Sequence, residues 1–330
     1  MLETAKELSL VVSHWSLGQR YIFRAGVWKP RTSPRSFQGA GEEGLRWLQD
    51  VKETFGMAVA TEVATPDHVR LAIDAGIDYL WIGARTSANP LAVQAIADSI
   101  KDCSLKGIFI KNPVNADAEL WLGNIERLEK TGVPVIAVHR GCGHKPCWSM
   151  AHTVRVARPD IPMLLDPSHM SGDATQVPVL LKKVDELGLD GAMIEVHIDP
   201  EHALSDSKQQ LSPDALRVIL GEQLTNNQRI TNEQLTVESR LSADANELNW
   251  FRAEIDELDE TLWTTIAARM DVSKRIGEWK KEHGVAPLQP ERYKEIVERL
   301  KTKSEELGIP ADFVQHVWEL IHEQSLYQQS

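Results

Sequence analysis

The chain of 330 residues carries 36 Lys and Arg against 48 Asp and Glu, a formal net charge of -12, with 42% hydrophobic and 25% charged residues. That balance excludes a general nucleic-acid binder, which needs a basic surface, and no apolar run approaches the roughly 20 residues of a membrane helix. Three cysteines fit a reducing compartment, and MLETAKELSL lacks the basic-then-apolar order of a secretory signal, so a cytoplasmic protein is expected.

Up to about residue 222, short apolar runs alternate with longer amphipathic stretches. In chain order the runs are YIFRAG (21–26), MAVATEV (57–63), YLWIGAR (79–85), KGIFIKN (106–112), PVIAVHRG (134–141), PMLLDPSH (162–169) and AMIEVH (192–197). Stretches such as PDHVRLAIDAG and AELWLGNIERLEKTG lie between them and read as helices. Buried strands alternating with helices imply a parallel sheet. So many units without a glycine-rich dinucleotide fingerprint favour a (β/α)8-type barrel over a doubly wound sheet.

After the first run, AGVWKPRTSPRSFQGAG sets Lys29, Arg31 and Arg35 among prolines and glycines. Cations gathered on stiff backbone in an acidic chain read either as a solvated loop or as a cradle for a small anion. The strand ends favour the cradle. Arg24, Glu62, Arg85, Lys111, His139 with Arg140, Asp166 with His169, and Glu195 with His197 close successive runs. In a barrel these ends converge on one face, which would bring Arg24, Lys29, Arg31, Arg85, Lys111 and Arg140 around one mouth.

Residues 223–243 are polar and without periodicity and read as a linker between a domain at 1–222 and another at 244–330. From Leu248 through Phe251, Ile255, Leu258, Leu262 and Ile266, apolar residues recur at steps of three and four. With no break before Gly284, this predicts a helix of roughly 36 residues, ~54 Å long. A domain this small cannot bury so long a stripe alone, so a partner chain is expected. Two more helices are predicted at 290–307 and 311–329, separated at Gly308 and Pro310.

FRAGVWKPRTSPRSFQG resembles the signature of the 3-deoxy-D-arabino-heptulosonate 7-phosphate (DAHP) synthases, and the resemblance extends through IGAR, DPSH, MIEVH and ALSD over about residues 1–215. Only the sister 3-deoxy-octulosonate phosphate synthases come close. It implies condensation of phosphoenolpyruvate with erythrose 4-phosphate, aided by a divalent metal. By resemblance Arg24, Lys29, Arg85, Lys111 and Arg140 hold phosphoenolpyruvate, Lys111 being catalytic as well, and Arg31 and Thr32 hold erythrose 4-phosphate. His169, Glu195 and Asp206 are the implied ligands of manganese, iron or zinc, which polarises an aldehyde.

The resemblance also breaks. The family's first strand, ending in a GPCS-like turn with a fourth metal ligand, has no counterpart, because MLETAKEL resembles the helix that follows it. Cys142, His144 and Cys147 lie in the loop after VIAVHRG, but in no recognised zinc spacing, and Cys103 reads as packing. A barrel short of one strand and one ligand is expected to condense its substrates weakly or not at all.

LNWFRAEIDELDETLWTTIAARMDVSKRIGEWKKEHG and the segments after it resemble the all-α chorismate mutases over about 248–330, in RxxIDxLD, ARM and IGxxK. These are intertwined dimers that rearrange chorismate to prephenate without a cofactor. By resemblance Arg252, Arg269 and Arg292 bind carboxylates, and Lys280 and Gln329 address the ether oxygen, with Arg269, Lys280 and Gln329 catalytic. Ser325, Gln289 and Tyr293 complete the chorismate site, the last two standing where the family often has acids. Independently of family, Arg269 and Lys280 fall within ~20° on one helix face, whereas Arg252 lies ~25 Å along the axis from Arg269, which a partner chain would bridge.

The sequence therefore supports a bifunctional synthase and mutase of aromatic amino-acid biosynthesis. Two alternatives stay open: a mutase with an inactive barrel, and a barrel that regulates or assembles the mutase.

Overall fold

A computed structural model describes residues 1–12, 21–30, 33, 35–101, 104–230 and 241–329. The chain divides into two compact units, Met1–Glu254 and Ile255–Ser330.

The first unit holds seven strands: β1 (Ile22–Arg24), β2 (Ala58–Val63), β3 (Tyr79–Ile82), β4 (Gly107–Lys111), β5 (Val135–His139), β6 (Met163–Leu165) and β7 (Gly191–Ala192). They pair in sequential order, every pair parallel. This half-barrel is the expected architecture short of one strand, with β1 and β7 as its edges among the described residues. Outside it run α1 (Leu2–Val12), α2 (Glu42–Phe55), α3 (Pro66–Asp74), α4 (Ala84–Ser87), α5 (Pro90–Ser99), α6 (Ala118–Glu129), α7 (Trp148–Ala157), α8 (Pro167–Ser171), α9 (Val177–Glu186) and α10 (Pro213–Ile230). Thr65 and Asn89 cap α3 and α5, each followed by a proline, and Asp117 caps α6. Each such cap contributes about 1 kcal/mol.

All five residues of β4 are buried, because helices cover the outer face and side chains fill the inner one. Leu80, Ile82, Ile108 and Ile110 meet helical Leu48, Ile96, Trp121 and Ile125 outside the sheet. Ala60, Trp81, Phe109, Val138 and Met193 form a separate inner cluster. That inner layer closes the interior beneath the strand ends.

The run AMIEVH is less regular than its sequence suggests. Only Gly191 and Ala192 join the ladder, and a single parallel bridge, Val196 to Leu211, follows. As an edge strand, β7 has only β6 to bond with, and a short edge limits stray pairing. The span read as a linker is helical to Ile230 and again from Leu241, the residues between lying outside those described. Loss of apolar periodicity reports loss of a buried stripe, not loss of helix.

Helix α11 (Leu241–Glu282) has 42 residues and starts earlier than its apolar stripe predicts. Its first turns belong to the first unit, where Trp250 and Ala253 are buried. Trp250 stacks on His152 at 5.4 Å, and His152 Nδ1 lies 3.0 Å from Glu254. The Asn249 amide donates to the Glu186 carbonyl at 3.0 Å.

In the second unit, α11 is joined by α12 (Pro290–Leu307) and α13 (Ala311–Gln329), at the predicted boundaries. Gly308 adopts φ 65° and its amide bonds back to Glu305, ending α12 as glycine at that position should. Ile255, Leu258, Leu262 and Trp263 are exposed on α11, so the predicted stripe lacks cover within one chain. No helix among the described residues is long and apolar enough to cross a membrane.

Candidate active sites

Parallel register sends the C-terminal ends of all seven strands to one side. There Arg24, Lys29, Arg85, Lys111 and Arg140 line a single cavity of about 710 Å³ together with Glu62, His169, Glu195 and Asp206. Five of the seven expected substrate contacts are thus brought together, while Arg31 and Thr32 lie outside the described residues.

Carboxylates hold these cations in place. Buried Lys111 at the end of β4 donates to Asp166 Oδ2 at 2.6 Å. Asp166 also caps α8 by accepting from the His169 amide at 3.0 Å, and its carboxylate meets His169 Nδ1 at 3.1 Å. Burial pushes the Asp166 carboxyl up, but His169 and Lys111 outweigh it and hold it well below the usual carboxylate range. Arg140 is fixed through its own amide, which donates to Asn112 Oδ1 at 2.7 Å, and its Nη2 reaches the His169 carbonyl at 3.4 Å. Burial, reinforced by Arg85, lowers the Arg140 pKa against the pull of Asp166, which marks excess positive charge in a poorly hydrated place.

Arg24 shows what is unfilled. Its guanidinium lies 5.4 Å from the Trp81 ring centroid and Nη2 is 3.4 Å from Glu195 Oε1. Yet Nε and Nη2 are buried without a hydrogen-bond partner among the described residues. A buried donor left unpaired costs ~1–3 kcal/mol, and a phosphate or carboxylate oxygen removes that cost with a charge-assisted bond.

Glu62 joins this group as a residue whose role the sequence did not reveal. Burial raises its carboxyl pKa despite Lys111, Lys29, His169 and Arg24 nearby, so it holds a proton more tightly than a surface glutamate. A Cβ on Gly83 would stand 2.0 Å from Glu62 Oε1, so glycine at the end of β3 is what admits this carboxyl to the cavity.

The proposed metal ligands assemble only in part. His169 Nε2 lies 3.8 Å from Glu195 Oε1, whereas Asp206 pairs with Lys29 at 4.0 Å. Among the described residues no three His, Cys, Asp or Glu side chains stand close enough to hold an ion. The expected donors His169, Glu195 and Asp206 thus line one cavity without closing on a common point, Asp206 lying against Lys29. The same finding removes Cys142, His144 and Cys147 as a substitute, although His144 lines the cavity. Cys103 lies outside the described residues.

His139 corrects a second expectation. It ends β5 but does not line the mouth, because successive strand residues face opposite sides. Its ring lies between Trp121 and Trp148, fully buried, with the Pro146 backbone beside it. Burial lowers its pKa to about 4.

The second unit builds a smaller cluster. Arg269 Nη1 donates to Ser325 Oγ and reaches the Ile321 carbonyl at 3.5 Å. Lys280 Nζ donates to Gln329 Oε1 at 2.9 Å and to the Pro287 carbonyl at 2.6 Å. Ser325 and Gln329 are buried. Gly277 makes this possible: a Cβ there would meet the Gln329 Cα at 2.6 Å, so only glycine lets α13 approach α11 this closely. Tyr293 faces His322 and Trp318. Arg292 is exposed and pairs with Glu295 at 2.8 Å, and Gln289 is exposed as well, so neither joins the cluster. Arg252 is exposed on the part of α11 that belongs to the first unit.

A family model for the DAHP synthetase I family matches residues 1–230. The chain belongs to that family. A second model, chorismate mutase type II, matches residues 251–330, so a mutase domain follows the DAHP synthase domain. Among relatives, the phospho-2-dehydro-3-deoxyheptonate aldolase of Thermotoga maritima is 30% identical over 240 residues, covering 67% of this chain and 64% of that protein. The chain thus spans less than two thirds of that relative's length. A 2-dehydro-3-deoxyphosphooctonate aldolase of Helicobacter pylori is 25% identical, over 68% of this chain and 90% of that one. The crystal structure of the Thermotoga maritima DAHP synthase superposes with a TM-score of 0.58 at 28% identity, over 69% of this chain and 65% of that chain. Metal dependence is general among DAHP synthases, and that family trait stands beside the incomplete donor set seen here.

Proposed function

We propose that this chain is a bifunctional enzyme of aromatic amino-acid biosynthesis. Its barrel takes phosphoenolpyruvate and erythrose 4-phosphate to DAHP, and its helical domain rearranges chorismate to prephenate. The observation that carries the first half is the cavity in which five cations converge and Arg24 keeps buried donors uncommitted. Fixed cations in a poorly hydrated site stabilise anionic substrates and the negative charge that develops on the aldehyde oxygen as the new carbon–carbon bond forms. Lys111, immobilised by Asp166, is the cation best placed to act without reorganising, and Arg31 and Thr32 are assigned to the second phosphate.

His169 and Glu195 would supply two donors for a divalent manganese, iron or zinc ion, and Asp206 is engaged by Lys29. The seven-stranded sheet and this engaged carboxylate are the observations on the side of a mutase carrying an inactive barrel. Phosphate release from phosphoenolpyruvate that needs both erythrose 4-phosphate and a divalent metal supports the bifunctional reading; none at any metal concentration leaves the mutase alone.

The mutase requires no nucleophile. Its rearrangement is pericyclic, so the protein holds a compact conformer and stabilises charge on the ether oxygen. Lys280 with Gln329 fills that role, and Arg269 holds a carboxylate. Arg252, delivered by a second copy across the exposed stripe of α11, holds another, so the active form is a homodimer. We place the protein in the cytoplasm, where these phosphorylated substrates and reduced cysteines belong. Prephenate formation from chorismate is the direct assay; a folded protein with no such activity overturns this half.

A further inference from the structure

His322 lies on α13 three residues before Ser325 and seven before Gln329. At ~100° per residue these three share one helix face. Ser325 and Gln329 are the partners of Arg269 and Lys280, so His322 extends the same polar row by one turn.

Two aromatic rings fix the imidazole. It stacks on Trp318 at 4.7 Å between centroids and 12° between planes, and Tyr293 of α12 approaches it at 5.3 Å and 58°. Its Nε2 is buried and has no hydrogen-bond partner among the described residues. Such an atom costs ~1–3 kcal/mol while unpaired. Arg269 and Lys280 already have protein acceptors, so His322 presents the unfilled bonding position of this cluster.

The charged groups around it are both cations. Burial, then Arg269 and Lys280 of α11, lower the His322 pKa, and the group facing it from α12 is the Tyr293 phenol. The ring is therefore neutral at neutral pH and offers one N–H donor without a third fixed charge to desolvate. A dicarboxylated enol ether brings carboxylate and ether oxygens that can accept that bond.

We propose that His322 is a further substrate-contacting residue of the mutase site, its Nε2–H donating to an oxygen of the bound dicarboxylate. This rests on the mutase reading above. The test uses the full chain as wild type, His322→Leu and His322→Gln. The leucine variant should raise KM for chorismate about tenfold, the loss of one ~1.4 kcal/mol interaction, with kcat within about threefold; glutamine, whose amide reaches the Nε2 position, should recover most of it. In the wild type, an oxabicyclic dicarboxylate that mimics the transition state should raise the His322 pKa, followed by imidazole NMR, by about one unit as two negative charges arrive. An unchanged KM in a folded His322→Leu protein, or a His322 titration that ignores the dicarboxylate, overturns the proposal. Should the leucine variant not fold, the wild-type titration alone decides. A wild type without mutase activity refutes the mutase reading itself, an outcome distinct from an active enzyme with an indifferent His322.

Discussion

The barrel mouth and the helical cluster both gather cations for small anions, but they secure them differently. In the mouth, carboxylates do the holding: Asp166 for Lys111, Glu195 for Arg24, Asp206 for Lys29. In the helical cluster the partners are neutral, Ser325 for Arg269 and Gln329 with a carbonyl for Lys280. The difference follows from the supports. Strand ends are rigid and can bear a buried ion pair whose desolvation cost is offset by close geometry. A three-helix unit with an uncovered stripe keeps its charge uncompensated, which suits a dianion that arrives with no metal or phosphate chemistry to perform.

The contrast predicts unequal damage when a cation is removed. Arg269→Ala should lower chorismate turnover by ~10³-fold, the scale of losing a preorganised charge contact in a water-poor site, because Lys280 is held by Gln329 and the Pro287 carbonyl. Lys111→Ala should weaken phosphoenolpyruvate binding by ~10²-fold, the typical effect of truncating one partner of a buried charge pair, with Arg24, Arg85 and Arg140 retaining the rest. Calorimetric titration of the folded variant checks this; affinity within twofold of wild type would remove Lys111 from the site.

Acid should weaken the first unit through His139. His139 has a folded pKa of about 4 against an unfolded value near 6.5, so the unfolded chain binds the extra proton between those limits. The first unit therefore keeps its full stability above pH ~6.5 and loses up to about 3 kcal/mol as pH falls toward 4. His139→Phe should flatten that limb in urea titrations read by Trp121 and Trp148 fluorescence, and an unchanged slope would assign the acid sensitivity elsewhere. The smallest expected effect is at Gly277, where alanine should cost ~1–3 kcal/mol by overpacking. It should also part Lys280 from Gln329, so mutase activity falls while phosphoenolpyruvate binding stays.

Much of this was legible in the sequence for local reasons. Apolar runs ending in Arg24, Lys111 and Arg140 place cations on one face of any parallel sheet, and Gly308 with Pro310 marks a helix boundary by backbone preference alone. What was not legible depends on neighbours far along the chain. Glu62 looks like any strand-end acid until the surrounding residues bury it. Trp250 stands beside the stripe of Leu248 and Phe251 rather than on it, and periodicity cannot say that the first unit buries it. Asp206 is a ligand by resemblance, and the sequence does not show that Lys29 comes within 4.0 Å of it. His322 had a readable signal in its spacing to Ser325 and Gln329, and only the fold shows its Nε2 without a partner among the described residues.

On this reading one chain carries two chemically independent anion sites. The most direct test crosses the two substitutions: phosphoenolpyruvate binding and chorismate turnover are both measured on Lys111→Ala and on Arg269→Ala in the full chain. Each variant should lose one function by at least ~10²-fold, by the magnitudes above, and keep the other within about twofold. A single substitution that removes both functions from a folded protein would contradict it.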